Sequence, residues 1–70
     1  MYGAVTWQPV KNKDGTENRY AQTNGTHNIA AYRYKRKWYF EVWLITSRPH
    51  KRLAAFDTAQ EARGYVDDLR

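Results

Sequence analysis

The stretch that decides the fold is Trp38-Tyr39-Phe40-Glu41-Val42-Trp43-Leu44-Ile45. Trp38, Phe40, Val42 and Leu44 alternate with Tyr39, Glu41, Trp43 and Ile45, and a period of two is what an extended strand presents to its two faces. The first set is wholly apolar and belongs to a core. Tyr39, Glu41 and Trp43 therefore face away from it.

Upstream, Lys35-Arg36-Lys37 connects this strand to one over residues 26–34. None of the three suits the positive φ that a two-residue hairpin turn requires at both central positions, which favours a longer loop. Loop length also sets the faces. A three-residue loop puts Tyr32 and Tyr34 with the core face, and a two-residue loop puts Ile29 and Ala31 there. Asp14-Gly15 and Asn24-Gly25 are dipeptides suited to tight turns, and they bracket a strand over 17–23. A two-residue turn centred on Asn24-Gly25 sets Tyr20 opposite Ile29. Residues 5–10 read as a first strand in which Pro9, having no amide hydrogen, requires an edge position or an early end.

Downstream, residues 46–50 form a turn marked by Pro49, and 51–56 return as a short strand. The period then changes. Ala62, Tyr65, Val66 and Leu69 fall at i, i+3, i+4 and i+7, one apolar stripe of a helix, with Glu61, Arg63, Asp67 and Asp68 off it. Thr58 is placed to cap that helix: its hydroxyl accepts from the Glu61 N–H while the Glu61 carboxylate reaches back to the Thr58 N–H, worth about 1 kcal/mol. Gly64 weakens the helix by a comparable amount. The expected fold is α+β, an antiparallel meander of four to five strands followed by one C-terminal helix packed on one sheet face. The 70 residues make a single small domain. Its N-terminal strands lie in 1–27, its central three-stranded sheet in 28–56 and its helix in 58–69.

Three Trp, six Tyr and two Phe must supply the core, because without cysteine neither disulfides nor a thiolate zinc site can staple the chain. No apolar run approaches the roughly 20 residues that cross a bilayer, and no basic segment followed by an apolar one opens the sequence. The expectation is a cytoplasmic protein with no membrane partner. Twelve Lys and Arg against seven Asp and Glu give a net charge of +5, which favours polyanionic partners.

Chemistry-bearing constellations are few. His27 and His50 sit on different turns with no paired carboxylate at metal-ligand spacing, so no metal site is expected. Glu61, Asp67 and Asp68 do not form a positioned acid and base pair on a helix. Asn24-Gly25-Thr26 matches a glycosylation sequon, but its role as a turn suffices. No phosphate-cradling glycine loop and no nucleophile with its base is found, so neither an enzyme nor a cofactor is expected. The informative region is 33–52, where Arg33, Lys35, Arg36, Lys37, Arg48, Lys51 and Arg52 stand against one acid, Glu41. The 35–37 loop and the 48–52 turn lie at opposite ends of one strand and flank the face carrying Tyr39 and Trp43. A polyanion across that face would meet cations at both margins and aromatic planes between them. The competing arrangement has the N-terminal strands closing the sheet into a small barrel over Tyr39 and Trp43, leaving only solvated charge outside.

Trp38-Tyr39-Phe40-Glu41-Val42, followed by Leu53-Ala54-Ala55-Phe56-Asp57-Thr58-Ala59-Gln60-Glu61-Ala62, resembles three strands and a helix of a known type. The type is the DNA-binding domain of plant ethylene-response factors and the arm-binding domain of phage tyrosine recombinases. The resemblance covers roughly residues 29 to 69 and implies a sheet whose outer face enters the major groove, with Arg33, Lys35, Arg36, Tyr39, Glu41 and Trp43 at the contacting positions. Ala54 stands where that pattern has glycine, the outward positions are aromatic rather than arginine, and residues 1–27 have no counterpart. The C-terminal part also looks like that of many small bacteriophage proteins, a likeness that implies only the fold; a viral, bacteriophage protein is the expectation, with the host-cell cytoplasm as its location if it is phage-encoded. The expected function is a small basic module binding nucleic acid, duplex DNA above RNA or single strands, through Arg33, Lys35, Arg36, Lys37, Tyr39, Glu41, Trp43, Arg48, Lys51 and Arg52. The alternative is a protein-interaction module, such as a phage inhibitor of a host protein, anchored by Trp43 and Tyr39. An outward Trp43 would equally serve a homodimer contact.

Overall fold

A computed structural model describes residues 6–69. The chain runs β1 (Gln8–Lys11), β2 (Glu17–Thr23), β3 (His27–Tyr34), β4 (Lys37–Leu44), β5 (Lys51–Phe56) and α1 (Ala59–Asp68). The five strands form one antiparallel sheet in the order β1-β2-β3-β4-β5, an α+β meander with α1 packed on one face. The sheet order is linear, with β1 and β5 as its two edges, so the barrel closure weighed from sequence does not occur among the described residues. The first strand begins later than the apolar pattern suggests, at Gln8, and Val5 lies outside the described residues. Pro9 sits on the edge strand beside an irregularity, where Pro9 pairs with Gln22 but Val10 pairs with Asn18.

Each hairpin turn has its own chemistry. Between β1 and β2 the Gly15 N–H donates to the Asn12 carbonyl at 3.0 Å, and Gly15 takes φ 88°. The Asp14 carboxylate accepts from the Thr16 hydroxyl at 2.6 Å and the Thr16 N–H at 3.0 Å. Between β2 and β3 the Asn24 N–H donates to the His27 carbonyl, so the central residues are Gly25 and Thr26 rather than Asn24 and Gly25. Gly25 takes φ 98°, while Asn24 Oδ1 accepts from the Thr26 N–H, the Thr26 hydroxyl and the His27 N–H. Asn24 thus staples the turn from its first corner. The register moves by two residues, placing Gln22 rather than Tyr20 opposite Ile29. A shift of two preserves the faces.

Lys35 and Arg36 alone join β3 to β4, at φ 51° and 67°, with Tyr34 paired to Lys37. The loop is therefore the short one that these residue types disfavour. Its length follows from the faces: Ile29 lies opposite Val42 and Ala31 opposite Phe40, and Ile29 is 1% exposed. A loop one residue longer would turn Tyr32 and Tyr34 toward the helix and Ile29 away from it. Burying Ile29 and its neighbours outweighs a left-handed backbone costing about 1–2 kcal/mol per residue.

Ile29, Val42, Ala62 and Val66 form the buried core, and Trp7, Phe40, Leu53, Phe56 and Tyr65 pack around it. Burial of Ile29, Val42 and Val66 contributes about 1.5–3 kcal/mol each. Leu53 occupies an irregularity between the Val42–Ala54 and Trp43–Arg52 pairs. Trp38 shares the helix-facing side of β4 but is 41% exposed, because α1 covers the sheet around Val42 and does not reach that end. Leu69, the last residue of the apolar stripe, is likewise exposed. The Thr58 hydroxyl accepts from the Glu61 N–H at 3.1 Å as the capping pattern requires. The Glu61 carboxylate accepts from that same hydroxyl at 3.0 Å instead of returning to the Thr58 N–H.

Candidate nucleic-acid interface

Register builds the open face, opposite α1, from cross-strand rows. Tyr34 pairs with Lys37, Tyr32 with Tyr39, Ala30 with Glu41 and Asn28 with Trp43 along the β3–β4 ladder. Ala21 extends the third row on one side and Ala55 on the other, while Arg52 extends the fourth. The result is a shallow trough floored by Ala21, Ala30, Glu41 and Ala55. A ridge of tyrosines bounds one side and Trp43 with Arg52 bounds the other. Tyr39 and Trp43 are four residues apart on one strand, about 13 Å. Both are half-buried and point away from the helix. Tyr32 stacks on Tyr39 with ring centroids 5.3 Å apart, and Tyr34 is 57% exposed.

Cations occupy the margins. Lys35 and Arg36 project from the hairpin tip, with the Lys35 Nζ 5.4 Å from the Tyr34 ring centroid. The Lys37 Nζ lies 5.4 Å from the Tyr39 ring and 3.2 Å from an Asp57 carboxylate oxygen. Its hydrogen bond to Asp57, together with that charge, raises the Lys37 pKa above its ordinary value. Arg52 meets Glu41 across β4–β5, Nε to Oε2 at 2.6 Å, with the Glu41 side chain 22% and the Arg52 side chain 53% exposed. Arg48 stands in the loop at the far end of β4.

Two of the ten expected site residues fall on the other side of the sheet. Arg33 pairs with Trp38 and Lys51 with Leu44, both on the helix-facing side, so neither shares a face with Tyr39, Glu41 and Trp43. Arg33 still lies at the same end as the tip, where Trp38 stacks on Tyr20 at 5.7 Å and 9° between planes. Beside that pair a cavity of about 250 Å³ opens at the β1–β2 irregularity, lined by Trp7, Asn18, Tyr20, Gln22, Ala31 and Phe40 among others. Arg33, Lys35, Arg36, Arg48 and Lys51 make no ion pair among the described residues. Sequence reasoning missed Tyr32 and Tyr34 as open-face aromatics, since their side depended on a loop length that residue preferences pointed the wrong way.

Among the described residues no group of three His, Asp or Glu is placed to hold a metal ion, and no helix is long and apolar enough to cross a membrane. Among the described residues the fold and the face define an open β-meander with one face covered by the helix and the other, aromatic and cation-edged, left without a covering element. No family model matches the chain, and neither a curated protein nor a solved structure matches it.

Proposed function

We propose that this protein is a small nucleic-acid-binding module that engages duplex DNA with the open face and tip of the β3–β4 hairpin. The observation that carries the reading is the tip itself. Two consecutive residues adopt a left-handed backbone there, and both are long cations rather than the Asn-Gly that relieves such a turn. Neither is buried, so the packing that sets the turn's length does not account for the choice of these two side chains. Strain kept at an exposed site in exchange for charge points to a ligand at that site. A two-stranded ribbon is narrow enough for the major groove, and Lys35, Arg36 and Arg48, which make no ion pair among the described residues, are available to phosphates. The resemblance to sheet-reading DNA-binding domains supports the same face, and bacteriophage origin and a cytoplasmic site of action belong to this proposal.

The test is a titration of a duplex oligonucleotide at several salt concentrations. With about four phosphates neutralised the log-log slope is near ~−3.6, and Lys35→Ala makes it shallower by about one. A flat slope rejects the proposal. A second reading, a protein-interaction module, draws on the exposure of Tyr20, Tyr32, Tyr34 and Trp38. It is favoured if nuclease-treated host lysate yields one discrete protein partner that Trp43→Ala releases.

A further inference from the structure

The helix does not use the whole of the sheet face it packs on. α1 lies over β3, β4 and β5, and from it the Arg63 side chain reaches β2. At the far side of that face the β1–β2 pairing jumps from Pro9–Gln22 to Val10–Asn18. The jump leaves Arg19, Tyr20 and Ala21 without a partner on β1, and the cavity of about 250 Å³ opens beside them. Ala31 adds to the space, because on the strand between those that carry Tyr20 and Phe40 it contributes only a methyl group. Trp7, Tyr20 and Phe40 give the cavity aromatic walls. The Tyr20 ring is held by its stack on Trp38, 5.7 Å between centroids and 9° between planes. Walls of this kind suit a flat apolar ring. The volume lies below the roughly 300–1,000 Å³ of sites for drug-sized molecules, which limits the occupant to a single small ring system.

The polar part of the lining is biased toward donors. Asn18 Oδ1 accepts from the Tyr20 N–H at 2.8 Å, and Gln22 Oε1 accepts from Arg63 Nη1 at 3.2 Å. A backbone amide and a guanidinium can only donate, so these contacts identify which end of each side-chain amide is the oxygen. What Asn18 and Gln22 retain for a ligand is an NH2 group each, without a partner among the described residues. Charge points the same way. Among the described residues no Asp or Glu lines the cavity, and the one charged residue that does is Arg19. A carboxylate would accept from the free amides in charge-assisted bonds. An ammonium group would be repelled by Arg19 and would find both amide oxygens already engaged.

From this combination we infer that the cavity is a binding site for a small planar aromatic carboxylate, with its ring against Trp7, Tyr20 and Phe40 and its charge toward Asn18 and Gln22. The site lies on the face opposite Tyr39 and Trp43 and does not rest on the duplex-binding proposal. Either can fail without the other.

The experiment is an NMR titration of the nitrogen-15-labelled 70-residue chain with 2-naphthoate and, in parallel, with 2-naphthalenemethanol, which keeps the ring system and lacks the charge. The wild type is expected to bind 2-naphthoate saturably, with a Kd of about 1 mM or tighter. It should bind the alcohol about 10-fold more weakly, the difference that one charge-assisted hydrogen bond makes. The side-chain NH2 signals of Asn18 and Gln22 and the indole N–H signal of Trp7 should move. Asn18→Asp keeps an oxygen for the Tyr20 N–H and puts a negative charge in place of the donor, so it is expected to abolish the preference for the carboxylate. Ala31→Leu fills the space between the walls and should weaken both probes by about 10-fold or more. Circular dichroism verifies that both variants fold. No saturable shift with 2-naphthoate overturns the inference, as does equal binding of the two probes by the wild type. Shifts confined to Tyr39, Trp43 and their neighbours also overturn it, and so does a carboxylate preference that survives in Asn18→Asp or binding that Ala31→Leu leaves unchanged.

Discussion

Replacing Lys35-Arg36 by Asn-Gly separates the turn's cost from its use. Both residues now hold positive φ, 51° and 67°, at about 1–2 kcal/mol each for an ordinary side chain. Glycine at the second position removes that cost but returns roughly 0.7 kcal/mol through the freedom it adds to the unfolded chain, and asparagine relieves the first in part. The net expectation is a stabilisation of about 1.5 kcal/mol, which for a domain of this size raises Tm by roughly 6–12 °C. Thermal melting by circular dichroism gives that number. The same change deletes two cations from the tip, and if each holds one phosphate the salt slope of duplex binding becomes shallower by ~1.8. Greater stability and weaker, flatter binding should therefore appear in one variant. An unchanged or lower Tm would show that the turn stores no strain, and the argument from strain to ligand would fall. A higher Tm with an unaltered slope would remove the tip from the interface.

Three further outcomes follow from the packing. Val42, fully buried beside Ile29 and Val66, should cost about 1.5–3 kcal/mol as Val42→Ala, a large share of the roughly 3–10 kcal/mol expected for a chain of this length, read as a lower urea midpoint at unchanged m. Thr58→Ala removes the N-cap acceptor and should lower Tm by about 4–8 °C, with Thr58→Ser close to wild type. The Thr16 hydroxyl and then the Thr16 N–H hold the Asp14 carboxyl below its ordinary 3.8, so its NMR titration midpoint should lie under that value. What Asp14 adds to stability is present above pH 3.8 and lost as pH falls through the lowered pKa, whereas the raised Lys37 contributes below pH 10.5 and loses its contribution as pH rises through its own. A midpoint for Asp14 at or above 3.8 would contradict the hydrogen bonds drawn to it.

The parts of the fold that could be read in advance are those with a period. The alternation over β4 and the i, i+3, i+4, i+7 stripe of α1 are statements about faces, and Val42, Ala62 and Val66 sit where they require. Tyr39, Glu41 and Trp43 on the open side follow from the same alternation. What failed was local turn chemistry. Lys35-Arg36 gives no local sign of a two-residue turn, because the faces of β3 and β4 impose it from outside, and that alone decided the side of Ile29, Arg33, Tyr32 and Tyr34. Asn24 was read by its tolerance of positive φ, yet it acts through its side-chain oxygen. Trp38 was assigned to the core on periodicity, which fixes a direction but not how far the helix extends over it. The contact between Glu41 and Arg52 spans two strands and a register irregularity, and no spacing in the sequence encodes it.

Every strand pairs only with its neighbour in the chain, and α1 comes after all of them. During synthesis from the N-terminus each hairpin can zip as its second arm emerges, on the microsecond scale of such events and without waiting for distant partners. None of those hairpins has a dry side until the last element arrives, because Ala62 and Val66 complete the cover over Ile29 and Val42. A nascent chain halted before Val66 would therefore carry a finished sheet with its apolar side wet, the condition under which small β proteins associate with one another. The ordering makes the helix a seal applied only once the sheet is complete, so a chain without it would hold its strand pairing but keep that apolar side wet.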